Sequence, residues 1–379
     1  MNVTTSKRIS IITDTFAPDV NGVAHTLSHL VNGLLDRGYH VDVICPDHEH
    51  REGAELRTQL TIFPVKGFRI PQYPDLRFGV ATIKKICSFW QDRCPDAVYI
   101  ATEGILGWAA LHASKQYEVP VVSGFHTNFH TYSKHYGLEW LSKLVFKYLR
   151  YFHNNTRCTL VPTTELKMAL NEMGIKPLSV LGRGVDTCLF SPQKRCDDLR
   201  ADWGVDDSDL VAIYVGRIAA EKNIDLVMKT FFKLREGGHC TKLVLVGDGP
   251  YLKKCGLNHD DVVHCGVQRG EELARHYASA DVFLFASQTE TYGNVIAEAM
   301  ASGLGVVAYN EAAASLLIES EINGVLSHNR EEYGFIESAH SLVNCRNRLV
   351  NIRNQARKRA EYLSWDRIVN QFELILFQS

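Results

Sequence analysis

The stretch RISIITDTFAPDVNGVAHTLSHLVNGLLDRGYHVDVIC (8–45) decides the fold. It opens on a run of apolar, β-branched residues (RISIITD, 8–14) and crosses a polar turn into VAHTLSHLVNGLLDRG (23–38), where apolar residues recur at helical spacing. It ends in a second apolar run, HVDVIC (40–45). Short apolar runs joined by an amphipathic helix are βαβ units, whose strands lie buried in a parallel sheet with helices on both faces. The same rhythm continues through AVYIA (97–101), ILGWAALHASKQ (105–116) and VPVVSGF (119–125).

Working outward, the rhythm stops once. The segment GRGVDTCLFSPQKRCDDLRADWGVDDSD (182–209) is polar and rich in Gly and Asp, and a fresh run, LVAIYVG (210–216), follows it. The pattern then repeats in NIDLVMKTFFKL (223–234), KLVLVG (242–247), EELARHYASA (271–280), DVFLFAS (281–287), GNVIAEAMAS (293–302) and GVVAY (305–309). The expected architecture is α/β: two Rossmann-like, doubly wound parallel-sheet domains over 1–185 and 186–360. A terminal helix over 361–379 carries SWDRIVNQFELILF and is free to cross back to the first domain. Because such sheets bind ligands at the carboxyl ends of their strands, two of them are expected to face each other across a deep cleft.

Composition narrows the function. With 379 residues, 45% apolar and 22% charged, the chain has ample material for two cores, which excludes general disorder. Forty-one basic against 43 acidic residues give a net charge of −2, so no nucleic-acid partner held by overall basicity is expected. No apolar run approaches the ~18 residues that cross a bilayer, and MNVTTSKR leads straight into a strand, so a cytoplasmic protein is expected. The ten cysteines are scattered without a CxxC pair, and they are expected to be reduced and mostly buried.

Three segments carry candidate chemistry. In PDVNGV (18–23), Gly22 stands between a strand and a helix expected near Ala24, where backbone N–H groups can approach an anion or a sugar hydroxyl. In VGRIAAEKN (215–223), Arg217 and Lys222 lie between a strand and a helix, placed to neutralise a diphosphate. In ETYGNVIAEAMASGLGVVA (290–308), Glu290 falls in a loop and Glu298 on the helix opening near Gly293, among Val295, Ile296, Ala297, Ala299 and Met300. Such surroundings bury a carboxylate with a partner, and carboxylates accept hydrogen bonds from vicinal hydroxyls.

Together with LVGDGP (245–250) and HCGVQRGEELARHYASADVFLFAS (264–287), these motifs resemble the large retaining GT-B glycosyltransferase family, group 1 and family 4 type. The resemblance implies sugar transfer from a nucleotide donor with retained anomeric configuration and no catalytic metal or cofactor. It implies that Arg217 and Lys222 neutralise the leaving diphosphate, that Glu290 contacts the transferred sugar, and that Glu298 holds the ribose. Thr291, Tyr292, Gly293 and Asn294 would offer backbone N–H groups, Gly22 would match the turn near the diphosphate, and His126 in GFHTNFH would stand beside the reacting sugar. His130 would serve the acceptor.

Within that family, ETYGNVIAEAMASGLGVVAYNEAAA with Ala312, Ala313 and Ala314 most resembles bacterial GDP-mannose-dependent α-mannosyltransferases and related glycolipid enzymes. Gly305 stands where Pro is usual and Asn310–Glu311 where Asp-Tyr is usual, so a UDP-sugar donor stays open. The basic, aromatic segment EWLSKLVFKYLRYFHNNTR (139–157), with Lys143, Lys147 and Arg150, fits either a core helix with a solvated rim or a helix lying on an anionic membrane. RFGVATIKKICSFW (77–90) has the same character, and a lipid or glycan acceptor is expected if both face outward. An epimerase, a sugar phosphorylase and a non-catalytic nucleotide-sugar-binding protein are the competing readings.

Overall fold

The structure, a computed structural model, describes residues 6–19, 21–47, 57–70, 73–126, 139–254, 259–288, 292–327 and 330–378. The chain divides into two compact units, one formed by Met1–Arg183 with Trp365–Ser379 and the other by Gly184–Ser364.

In the first unit β1 (Arg8–Ile12), β2 (His40–Pro46), β3 (Leu60–Ile70), β4 (Tyr73–Val80), β5 (Ala97–Ile100), β6 (Val121–Gly124), β7 (Cys158–Val161) and β8 (Leu178–Val180) form one sheet in the order β4-β3-β2-β1-β5-β6-β7-β8. All pairs are parallel except β3–β4, a hairpin edge that the apolar pattern does not announce. Its helices are α1 (Gly22–Asp36), α2 (Ile83–Trp90), α3 (Ile105–Gln116), α4 (Glu139–Asn154) and α5 (Thr164–Glu172). Helix α1 starts two residues before Ala24 because the Asn21 side chain caps it, accepting from Val23 N and Ala24 N. Leu27, Leu30, Val31, Leu34 and Leu35 form its buried stripe.

The second unit contains β9 (Val211–Val215), β10 (Lys242–Val246), β11 (Val262–His264), β12 (Val282–Phe285), β13 (Gly305–Tyr309) and β14 (Val325–Ser327), all parallel, in the order β11-β10-β9-β12-β13-β14. Its helices are α6 (Asp197–Asp202), α7 (Ile224–Glu236), α8 (Gly270–Ser279), α9 (Asn294–Ala301), α10 (Ala312–Leu317), α11 (Glu332–Val343) and α12 (Arg346–Glu361). The loops after β9 and β10 meet at two glycines. A Cβ on Gly247, whose φ is +137°, would stand 1.9 Å from the Gly216 carbonyl oxygen.

Helix α13 (Trp365–Phe377) returns the chain to the first unit and packs on α1. Its Val369, Phe372 and Leu376 join Leu27, Leu30 and Leu34 in one apolar cluster. Arg37 ties it down through Asp366 at 2.6 Å and Glu373 at 2.7 Å, and the Tyr39 hydroxyl donates to Glu373 at 2.6 Å.

Two expectations need correction. All nine described cysteines are free, but only Cys45 and Cys240 are buried, while Cys94, Cys188 and Cys345 are exposed. Of the described cysteines only Cys45 and Cys158 lie in strands, and most of the others fall in turns, loops or helix caps. The 77–90 stretch does not turn its aromatic side outward: Ile86 and Trp90 are fully buried and Phe89 stacks on Phe63. Among the described residues no helix is long and apolar enough to cross a membrane.

Candidate functional site

In the second unit, chain direction away from the centre reverses between β9 and β12, which opens a crevice at their carboxyl ends. The loop after β9 carries Arg217 and a 3-10 turn, Ala220–Lys222, that runs directly into α7. The loop after β12 meets that turn, since Gln288 N donates to Glu221 O at 3.0 Å. Structure therefore brings the loop of Lys222 and the loop leading to α9 side by side. Arg217 is exposed and forms an i,i+4 ion pair with Glu221, so a bound anion would compete with that carboxylate for the guanidinium. Glu290 and Thr291 lie outside the described residues.

Helix α9 begins just after Gly293, whose φ of +92° is a left-handed conformation that glycine adopts without strain. Tyr292 is buried, and its carbonyl accepts from Ala313 N at 2.7 Å, which pins the loop to the start of α10 and its alanine run. Gly293 is the N-cap of α9 and Asn294 its first residue, and the partial positive charge at the amino end of a helix suits an anion. Further along α9, Glu298 Oε2 accepts the Tyr277 hydroxyl of α8 at 3.1 Å. Burial pushes the Glu298 carboxyl up to about 7, against the pull of that hydrogen bond. Tyr277 is the partner that the apolar surroundings of Glu298 called for but did not name.

In the first unit the reversal lies between β1 and β5. The loop after β1 is shaped by its own side chains: Thr15 Oγ1 donates to Asp19 at 2.8 Å and Asn21 Nδ2 donates to Thr15 Oγ1 at 2.6 Å. Gly22 follows as the first residue of α1. His126 stands just past β6, with Nε2 3.0 Å from the Tyr99 hydroxyl of β5. A Cβ on Gly124 would come within 2.3 Å of that hydroxyl and 2.6 Å of His126 Nε2, so glycine is what lets the pair close. Burial first, then the charges of Arg183 and His153, push the His126 pKa down to about 3. With its pKa held that low, the ring is expected to be neutral at physiological pH and available as a hydrogen-bonding group. Its Nδ1 is buried without a hydrogen-bond partner among the described residues.

His130 lies outside the described residues, as does the side chain of Lys143. Lys147 and Arg150 are exposed on α4, beside Leu144 (54% exposed) and Tyr151 (48%), while Leu149, Phe152 and His153 are buried. Helix α4 is thus a core helix with an outer face of mixed basic and apolar character. A cavity of about 290 Å³ opens between α4 and α5, lined by Phe125, Phe146, Leu149 and Ile175 and rimmed by Lys147 and Arg150. Tyr99, the hydrogen-bond partner of His126, was not legible as a site residue, because it is one residue of a buried strand.

The sequence matches the profile described as Glycosyltransferase Family 4 over residues 20–188 and that described as Glycosyl transferases group 1 over residues 196–359. A GDP-mannose-dependent alpha-mannosyltransferase of Mycobacterium tuberculosis is 31% identical over 84% of this chain and 83% of its own. An alpha-monoglucosyldiacylglycerol synthase of Streptococcus pneumoniae is 27% identical over 86% of this chain and 76% of its own. Among solved structures, Anabaena Alr3699/HepE in complex with UDP superposes with a TM-score of 0.78 at 18% identity, covering 98% of this chain and 99% of that one. The glycine turns, the cation-bearing loop and the buried glutamate thus sit on a GT-B scaffold, and the chain belongs to the group 1, family 4 glycosyltransferases as a hexosyltransferase.

Proposed function

We propose that the enzyme moves a hexose, with mannose favoured, from a nucleoside diphosphate sugar to a hydroxyl of a lipid or glycan, retaining the anomeric configuration and using neither metal nor cofactor. The observation that carries this reading is the meeting of the Lys222 turn with the loop leading to α9, at the carboxyl ends of β9 and β12. There Arg217 and Lys222 face the departing diphosphate with fixed positive charge, and Glu298 receives the ribose hydroxyls. As the bond from the anomeric carbon to the phosphate oxygen breaks, negative charge grows on the diphosphate. The acceptor oxygen bonds to the same face, and its proton passes to the departing phosphate oxygen. Preorganised cations are then the main catalytic contribution. Glu290 contacts hydroxyls of the transferred sugar, and neutral His126 hydrogen-bonds beside it.

GDP-mannose as donor is supported by the mycobacterial relative's name and by the Ala312–Ala314 run. A UDP-sugar is the second reading, favoured by the Streptococcus glucolipid synthase and the UDP-bound neighbour. A lipid acceptor at the cytoplasmic face of a membrane is supported by the exposed Lys147, Arg150 and Leu144 of α4 and by the apolar cavity behind them. Incubation with GDP-mannose and UDP-glucose, with and without a chelator and with a lipid extract, tests the reading by mass spectrometry. The expected result is slow release of GDP from the donor alone and a mannosylated product with lipid. Release of neither nucleotide from either donor would overturn it.

A further inference from the structure

We propose that Asp14 is an acceptor-binding residue, whose carboxylate accepts hydrogen bonds from the hydroxyls of a neutral polyol, a sugar or a glycerol headgroup, with the Trp108 indole of α3 covering the apolar side of that group. Asp14 stands just past the carboxyl end of β1, and Thr102 just past that of β5, so both lie where chain direction in this sheet reverses. The residue is held from two sides. Gly79 N of β4 donates to its Oδ1 at 2.8 Å, and its own backbone N–H donates to Thr102 Oγ1 at 2.9 Å. Oδ2 turns instead to the amino end of α3. A Cβ on Gly104 would stand 2.6 Å from that oxygen, so glycine is what lets carboxylate and helix approach. The loop carrying Thr102 and Gly104 is pinned from α4, where the Tyr148 hydroxyl donates to Glu103 O at 2.6 Å.

A carboxylate drawn out of water ordinarily has a cation against it. Among the described residues none pairs with Asp14, and burial raises its pKa against the pull of the Gly79 amide and of Thr102. Further hydrogen-bond donors would favour the ionised form, and hydroxyls supply them without bringing charge. A phosphate at the same place would meet like charge, so the group recognised is a neutral one. Helix α3 supplies the second half of the subsite. It buries Leu106, Ala110 and Leu111, yet leaves Trp108 40% exposed. Four residues from Gly104, the N-cap that meets Oδ2, Trp108 lies one turn along the same face of the helix. An exposed aromatic face beside an accepting oxygen suits a group with hydroxyls on one side and C–H bonds on the other. A carboxylate serving only the dipole of α3 would affect stability and leave ligand affinity alone.

The inference rests on the acceptor half of the transferase reading and narrows it to neutral hydroxyl groups. Binding of methyl α-D-mannopyranoside, glycerol and sn-glycerol 3-phosphate is followed by saturation-transfer NMR for the parent, Asp14→Asn and Trp108→Ala, with thermal melts to show that each is folded. Asparagine keeps an oxygen for Gly79 N and loses the charge, so Asp14→Asn is expected to weaken a neutral probe roughly tenfold. Trp108→Ala is expected to weaken the same probe several-fold. Loss confined to the mannoside assigns the hydroxyls to a sugar, loss confined to glycerol assigns them to a glycerol headgroup, and loss of both supports the shared chemistry. If Asp14→Asn fails to fold, Trp108→Ala, altered at an exposed position, carries the test. Parent-like affinity of the variant that carries the test for every probe overturns the proposal. So does a parent that binds glycerol 3-phosphate more tightly than glycerol, or that binds no neutral probe. Neutral-probe binding through Asp14 in a parent that releases nucleotide from neither donor would sink the transferase reading and leave the subsite standing.

Discussion

The hydroxyl of Tyr277 donates to Glu298 Oε2 at 3.1 Å, joining α8 to α9 beneath the crevice of the second unit. This bond stabilises the ionised carboxylate, while burial opposes it and leaves the group near 7. An ionised Glu298 accepts two ribose hydroxyls, whereas a protonated one accepts fewer. Nucleotide affinity is therefore expected to rise as pH increases through about 7, and Tyr277→Phe is expected to move that rise to higher pH. Calorimetric titration of GDP across that range checks it, and a pH-independent parent would remove Glu298 from the ribose. Since the folded pKa lies above the ordinary 4.5, Glu298 also makes the protein less stable as pH rises from about 4.5 to about 7.

Lys222 is assigned to the transition state more than to the ground state. Lys222→Ala is expected to cost about 3 kcal/mol of transition-state stabilisation, roughly a hundredfold in kcat, with a smaller change in KM. Glu298→Ala is expected to do the reverse, raising KM with a lesser fall in kcat. Steady-state kinetics on the donor distinguish the two, and parent-like turnover by Lys222→Ala would contradict the diphosphate role.

Buried His153 contributes to stability in mild acid. Its Nδ1 lies 3.0 Å from Ser123 Oγ, the ring is fully buried, and desolvation pushes its pKa from 6.5 down to about 4. The unfolded chain then binds a proton that the folded one refuses, so stability is complete above about 6.5 and falls as pH drops toward 4. Because Glu298 slopes the opposite way over much of the same range, the slope is expected in the difference between parent and His153→Asn, from denaturant titrations at several pH values. A residual slope of the same sign is expected from His126.

Packing of the terminal helix gives a fourth test. A Cβ on Gly33 of α1 would stand 2.5 Å from Val369 Cγ2 of α13. Gly33→Ala should therefore destabilise by roughly 1–3 kcal/mol through overpacking. Val369→Ala introduced alongside it should recover part of that loss, and strictly additive effects in the double mutant would refute the contact.

How much of this was legible beforehand follows from where the determinants lie. Strands such as VAIYV (211–215) and VFLF (282–285) are continuous apolar runs, and α1 carries its stripe at helical spacing, so local pattern suffices to find them. Strands β3 and β4 escaped notice because they hold Lys66, Arg69 and Arg77 and pair antiparallel at an edge, where one side is solvated. Arg217, Lys222 and Glu298 were visible through their position relative to strand ends. Tyr277 and Tyr99 were not, because their roles depend on the partner each meets across the fold: Glu298, 21 residues on, and His126, 27 residues on.

The return of α13 sets an order on biosynthesis. A ribosome releases the amino-terminal sheet first, yet the surface formed by Leu27, Leu30 and Leu34 is covered only when Val369, Phe372 and Leu376 emerge. The unit made earliest is thus the one finished last. A nascent chain stalled anywhere before Trp365 carries a bare apolar stripe along α1, open to chaperones or to another polypeptide until α13 has been made.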